Sequence, residues 1–149
     1  DRKEAKELID NYFVTFPQVR TYIDKSIATA REKGYVETMF HRKRFLPDIN
    51  SHNAIVRGYA ERNAVNAPIQ GSAADIIKVA MAKIFESFEA QKLRSKMILQ
   101  VHDELNFSVY PDEKTLVEQI VIKEMEGACK MLVPLKADCG WGHNWLEAH

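Results

Sequence analysis

Cysteine is scarce in this chain. Cys129 and Cys139 are the only two, too few and too far apart for a disulfide framework or a Cys-based zinc site. Reduced thiols in a cytoplasmic protein are the expected state. Long apolar runs are missing as well, so no membrane-spanning helix and no membrane partner are expected. The start, Asp-Arg-Lys-Glu-Ala-Lys-Glu, has no Met and none of the apolar centre of a signal peptide. Helical spacing is already established there, so the chain reads as cut from something longer. An excess of one charge is also absent: the net charge is zero, which argues against a self-sufficient nucleic-acid binder.

What is present is ordinary for a soluble globular domain. Hydrophobic residues make up 46% and charged residues 28% of 149 positions, enough for one sizeable core. The charge is unevenly spread. Residues 1–78 carry 13 Lys/Arg against 10 Asp/Glu, and residues 79–149 carry 8 against 11. A polyanion should prefer the first part and a cation the second.

Taken in order, Asp1 to Glu32 has helical periodicity. Ala5, Leu8, Ile9, Tyr12, Phe13 and Phe16 form one apolar stripe, and its aromatics are expected in a core. Pro17 opens a second helix that Gly34 stops. Gly34–Met39 and Arg44–Ile49 read as paired strands around a basic turn containing Arg42, Lys43 and Arg44. Such a turn can meet phosphates or simply resist edge-to-edge pairing. Ser51 opens the longest helical segment, capped by Ser or Asn and reaching about Glu89. A kink or short break is expected at Pro68. Arg62, Asn66 and Gln70 are four apart, so a helix sets them in one row, among small residues such as Ala60, Ala64 and Ala67. Two readings stay open on residue types alone. The row is a solvated face with Ala chosen for helix propensity, or a row of donors suited to the acceptors of a DNA minor groove.

The chemistry concentrates in Met97–Tyr110. Met97–Val101 and Leu105–Tyr110 are strand-like, and Leu105, Phe107 and Val109 alternate with Asn106, Ser108 and Tyr110. They can pair only as a hairpin with His102, Asp103 and Glu104 at its tip. Adjacent carboxylates suggest a hard cation such as Mg²⁺, although a merely solvated turn has the same composition. Pro111–Met131 reads as a further helix, and Pro134–Cys139 as a strand beside the hairpin. His143 and His149 read as tail residues, not ligands. The fold class is therefore α+β: a small antiparallel sheet with a carboxylate-tipped hairpin, backed by long helices, plus an N-terminal helical pair.

Several blocks together resemble one family. Val101-His102-Asp103-Glu104 between strands is similar to the third motif of the family A DNA polymerases. Glu61-Arg62-Asn63-Ala64-Val65-Asn66-Ala67-Pro68-Ile69-Gln70-Gly71 through Lys78 resembles their long palm helix. Gly34-Tyr35-Val36-Glu37-Thr38 and Leu46-Pro47-Asp48-Ile49 match as well, and the tail from Gly140 resembles the family's natural end. The chain departs from the pattern at His41, where the family usually has Gly, and at Val56, where an Arg often stands.

The resemblance implies residues 1–49 as the end of the fingers and residues 50–149 as the later palm. It implies that Arg62, Asn66, Gln70 and Arg57 contact primer–template DNA. Asp103 would bind one of two Mg²⁺ ions, Glu104 would support them, and His102 would touch the primer terminus during nucleotidyl transfer from a deoxynucleoside triphosphate. The family's other metal-binding run, Asp-Tyr-Ser-Gln-Ile-Glu, does not occur here, nor does the helix that grips the triphosphate. The isolated chain is thus expected to bind Mg²⁺ weakly or not at all, to be inactive, and to self-associate through apolar surface. The other readings are a non-catalytic DNA-binding module on the same fold and an unrelated metal-dependent phosphohydrolase.

Overall fold

The structure is a computed structural model and describes residues 1–148. His149 lies outside the described residues, so its reading as a tail residue is not addressed. The chain divides into two compact units, Asp1–Ser72 and a second beginning at Ala73.

In the first unit, α1 (Arg2–Thr15) and α2 (Pro17–Lys33) fall where the spacing places them. Asp1 caps α1 in a reciprocal capping box with Glu4, and Pro17 takes the first position of α2. Gly34 ends α2 at φ 76, with its N–H on the Ala30 carbonyl. Strands β1 (Tyr35–Glu37) and β2 (Lys43–Phe45) pair antiparallel, Tyr35 opposite Phe45 and Glu37 opposite Lys43. Both are shorter than the runs Gly34–Met39 and Arg44–Ile49 read as strands. Beyond Phe45, Ile49 donates its N–H to the Leu46 carbonyl in a turn, and Pro47 has no N–H to offer a ladder.

The first core joins Ala30, Val36, Leu46, Ile49, Ala60 and Ala64. It does not include the stripe of α1. Leu8 is 66% exposed and Ile9, Tyr12 and Phe16 are about half exposed, which corrects the expectation of a core there. An amphipathic helix specifies that something packs on its apolar face, but not that this chain supplies it.

Helix α3 (Ala54–Ala90) starts three residues later than Ser51. Asn53 caps it, its side-chain oxygen accepting the N–H groups of Ile55 and Val56 at 2.9 and 3.4 Å. The break expected at Pro68 is not there: the helix continues through it. Neighbouring groups bond its carbonyls, the Tyr22 hydroxyl donating to Val65 at 3.1 Å and Ser72 Oγ to Pro68 at 2.6 Å.

In the second unit, β3 (Lys96–Val101) and β4 (Glu104–Ser108) form the expected hairpin. A single 3₁₀ turn, Pro111–Glu113, leads into α4 (Lys114–Glu126). Ile84 and Phe88 of α3 pack with Val117 of α4, and Met97, Leu105, Phe107 and Val109 of the hairpin lie against them. Leu105, Phe107 and Val109, the apolar positions of the alternation, are thus partly buried against that core, and the sheet is backed by both helices. Helix α4 ends at Glu126 rather than Met131, where Gly127 takes over. Pro134–Cys139 is not a strand. Its Ala137 N–H goes to the Glu126 carboxylate at 3.2 Å, so that group is spent on a side chain instead of a ladder. A last short helix, α5, spans Trp145–Ala148. Among the described residues no helix is long and apolar enough to cross a membrane.

Candidate functional site

Arg62, Asn66 and Gln70 are all exposed on α3, while Ala60 and Ala64, turned to the other side, are 4% and 0% exposed. Burial of the small face therefore orients the row of donors outward. Tyr59 is exposed beside it, and the Arg62 guanidinium lies 5.9 Å from its ring centroid. Arg57 is set apart from the other three. It is half-buried, donates to the Ser51 carbonyl at 2.8 Å, and stands 3.8 Å from Glu61, which Arg31 of α2 reaches at 2.5 Å.

The basic turn docks on α3 within the same unit. Met39 N–H donates to Ser72 Oγ at 2.8 Å, and Arg42 Nη2 donates to the Gly71 carbonyl at 3.2 Å. The two elements enclose a cavity of about 230 Å³ lined by Arg42, Arg44 and Gln70 among others. Gly71 is what permits the approach: a Cβ there would meet Thr38 Cγ2 at 2.7 Å. In an open helix, Gly to Ala gains about 1 kcal/mol. Here overpacking costs about 1–3 kcal/mol. Gly71→Ala is therefore expected to lower the unfolding midpoint and to speed exchange of the Met39 amide. A raised midpoint with that amide still protected would show the contact to be loose. His41, at the position where the family usually has Gly, adopts φ 62 all the same, a conformation that costs an L-residue about 1–2 kcal/mol.

At the other hairpin, Val101 is paired with Glu104, which leaves His102 and Asp103 as a two-residue turn. The first residue of both favoured two-residue hairpin turns has positive φ, usually Asn, Asp or Gly in one type and Gly in the other; His102 holds it at φ 54. Gln100 Nε2 donates to the His102 carbonyl at 2.5 Å and braces the turn. Asp103 is exposed and Glu104 half-buried. Among the described residues no group of three His, Cys, Asp or Glu side chains is placed to hold a metal ion. The tip therefore does not fit a resident ion in a protein cage. It fits Mg²⁺ only in the way that ion commonly binds, through one or two carboxylates with substrate phosphates and water completing the shell.

The chain reading missed the groups at the base of this hairpin. Glu113 accepts the N–H of Arg94 at 3.0 Å, the N–H of Ser95 at 2.9 Å and the Ser95 hydroxyl at 2.5 Å. The Arg94 N–H, and then the Ser95 hydroxyl, hold its carboxyl down to about 2. A depressed carboxyl stabilises the fold fully above the ordinary glutamate range, and this contribution is lost as pH falls through about 2. Eighteen residues separate Ser95 from Glu113, and no local pattern joins them.

Comparison with known proteins defines the class first. The polymerase domain of Pol1 from M. smegmatis, in complex with DNA primer-template and dNTP, matches 99% of this chain at a TM-score of 0.97 and 45% identity. The chain covers 26% of that structure's chain. The family model described as DNA polymerase family A matches residues 1–147, and the chain belongs to that family. It is similar to the proteins named DNA polymerase I of Caldicellulosiruptor bescii, 50% identical over 98% of this chain, and of Bacillus subtilis, 44% identical over 99%. It spans 17% of the length of each.

Proposed function

We propose that residues 1–49 are the end of the fingers and residues 50–149 the later palm of a cytoplasmic, DNA-directed DNA polymerase of replication and repair. One observation carries the reading: α3 buries Ala60 and Ala64 and leaves Arg62, Asn66 and Gln70 in an exposed row. Arg and the side-chain amides are donors, and every base pair presents acceptors in the minor groove, so the row can test pair shape without reading sequence. Arg42 and Arg44, beside Gln70, supply charge for backbone phosphates. Arg57 contributes less directly, since its guanidinium is engaged with Ser51 and Glu61.

In the second unit, Asp103 would hold Mg²⁺, with Glu104 in support beside it. When bound, the ions stabilise charge on the attacking and leaving oxygens of an in-line displacement. His102, fixed by the turn, holds the primer 3′-hydroxyl in line, a task of positioning rather than proton transfer. The exposed apolar stripe of α1 supports self-association of the chain when it stands alone.

The test is primer–template binding by fluorescence anisotropy across a salt series, for the chain and for Arg62→Ala combined with Gln70→Ala. Affinity should fall with salt. The double change removes one charged and one neutral hydrogen bond and should weaken binding about tenfold or more. Equal affinity for both proteins would remove the row from the interface.

A further inference from the structure

The hairpin that carries Asp103 is fixed from its far end. An isolated two-stranded hairpin is marginal in water, and at its tip this one has the Gln100 hydrogen bond to the His102 carbonyl as a local brace that spans only the turn. Its turn puts His102 at positive φ, and β3 is irregular between Met97 and Leu99. The side chains of Ile98 and Leu99 are exposed, so the middle of β3 is weakly anchored.

At the open end the polar groups are closely matched. Ser95, just before β3, is 3% exposed. Its hydroxyl donates to Glu113 and accepts the Tyr110 N–H at 3.0 Å, just beyond β4. One hydroxyl thus joins the start of one strand to the end of the other, next to the pair Lys96 and Ser108. The Glu113 carboxylate fixes that hydroxyl and the two N–H groups before β3. Arg94 completes the arrangement. It pairs with Asp112 and Glu113, and its guanidinium lies 4.2 Å from the Tyr110 ring centroid.

We propose that Glu113, acting through Ser95, is a positioning residue that sets the register of β3 on β4 and thereby places the Asp103 carboxylate. This rests on the reading of Asp103 as the reacting-site carboxylate. A slip of one residue would turn every side chain of one strand to the opposite face. It would move Leu105 and Phe107 out of the core and His102 and Asp103 out of the turn.

The test uses Glu113→Ala, Glu113→Gln and Ser95→Ala in the 149-residue chain, read by cross-strand nuclear Overhauser effects and amide exchange. Glu113→Ala should lose the contacts between Val101 and Glu104 and between Leu99 and Asn106, with β3 and β4 amides exchanging at least about tenfold faster. Contacts between Ile84 and Val117 should persist. Glu113→Gln keeps one acceptor oxygen and should restore part of the register. If the Ala variant fails to fold, Ser95→Ala decides. An unchanged register in Glu113→Ala, or in Ser95→Ala where Glu113→Ala does not fold, or exchange that rises equally in α4, overturns the proposal.

The same changes in a complete family A polymerase carrying this chain should lower kcat at least about tenfold with primer–template affinity unchanged. A lost register with undiminished kcat would overturn the link to catalysis through the role given to Asp103, while leaving the role of Glu113 in register intact.

Discussion

Asp103→Ala, in a complete family A polymerase carrying this chain, is expected to lower the rate of nucleotide incorporation by about 10²–10³-fold or more while primer–template affinity is retained. Removing one preorganised group from the charge developing in a transition state costs about that much. The carboxylate is exposed at a turn and takes no part in either core, so truncating it should not disturb the fold. On the proposed function, binding energy would come instead from the donors and cations of the first unit. A kcat effect without a binding effect is therefore the expected signature, measured by single-turnover incorporation alongside anisotropy. The isolated chain should show no incorporation at all, because it lacks the family's other metal-binding run and the helix that grips the triphosphate. Incorporation by the purified chain that disappears with Asp103→Ala would falsify this.

Ile84→Ala is expected to produce the largest loss of stability. Ile84 is fully buried between Phe88 and Val117, at the place where the hairpin packs on its helices. Emptying such a site costs about 2–5 kcal/mol, from lost transfer energy and the cavity left behind. Domains of this size are stable by about 5–15 kcal/mol in all, so a large part of the second unit's stability would go. Leu8→Ala is the contrast. It deletes as much apolar volume, but from a side chain that is 66% exposed, and at concentrations too low for self-association it should change stability by no more than about 0.5 kcal/mol. Denaturant unfolding followed by circular dichroism measures both. A cost at Leu8 comparable to that at Ile84 would show that the α1 stripe is covered in solution, by a second copy if the cost grows with concentration.

The two substitutions also separate what the sequence states from what it leaves open. Periodicity marks the stripes of α1 and of β4 equally well, because it reports that a face is apolar. Burial depends on whether another element of the chain reaches that face. For Leu105 and Phe107 one does; Leu8 and Ile9, 66% and 55% exposed, are buried by no element among the described residues. Pro134–Cys139 illustrates the same limit from the other side. Its composition permits a strand, but a strand exists only where a partner offers a free edge, and Glu126 takes the Ala137 N–H instead.

By itself the sequence determined the elements whose causes are local. Pro17 and Gly34 bound the second helix because one fixes φ and the other tolerates a positive value. The spacing of four sets Arg62, Asn66 and Gln70 in a row, and two strand-like runs so close together must fold back with His102, Asp103 and Glu104 at the tip, although pairing with Val101 draws Glu104 into β4. Only the tertiary structure decided the rest. It carries α3 unbroken through Pro68, brings the basic turn against Gly71, and ties the base of the hairpin to Glu113. Each of these depends on groups about eighteen or more residues apart or on packing from another element. Hydrogen bonds and close contacts between such groups leave no period in the chain.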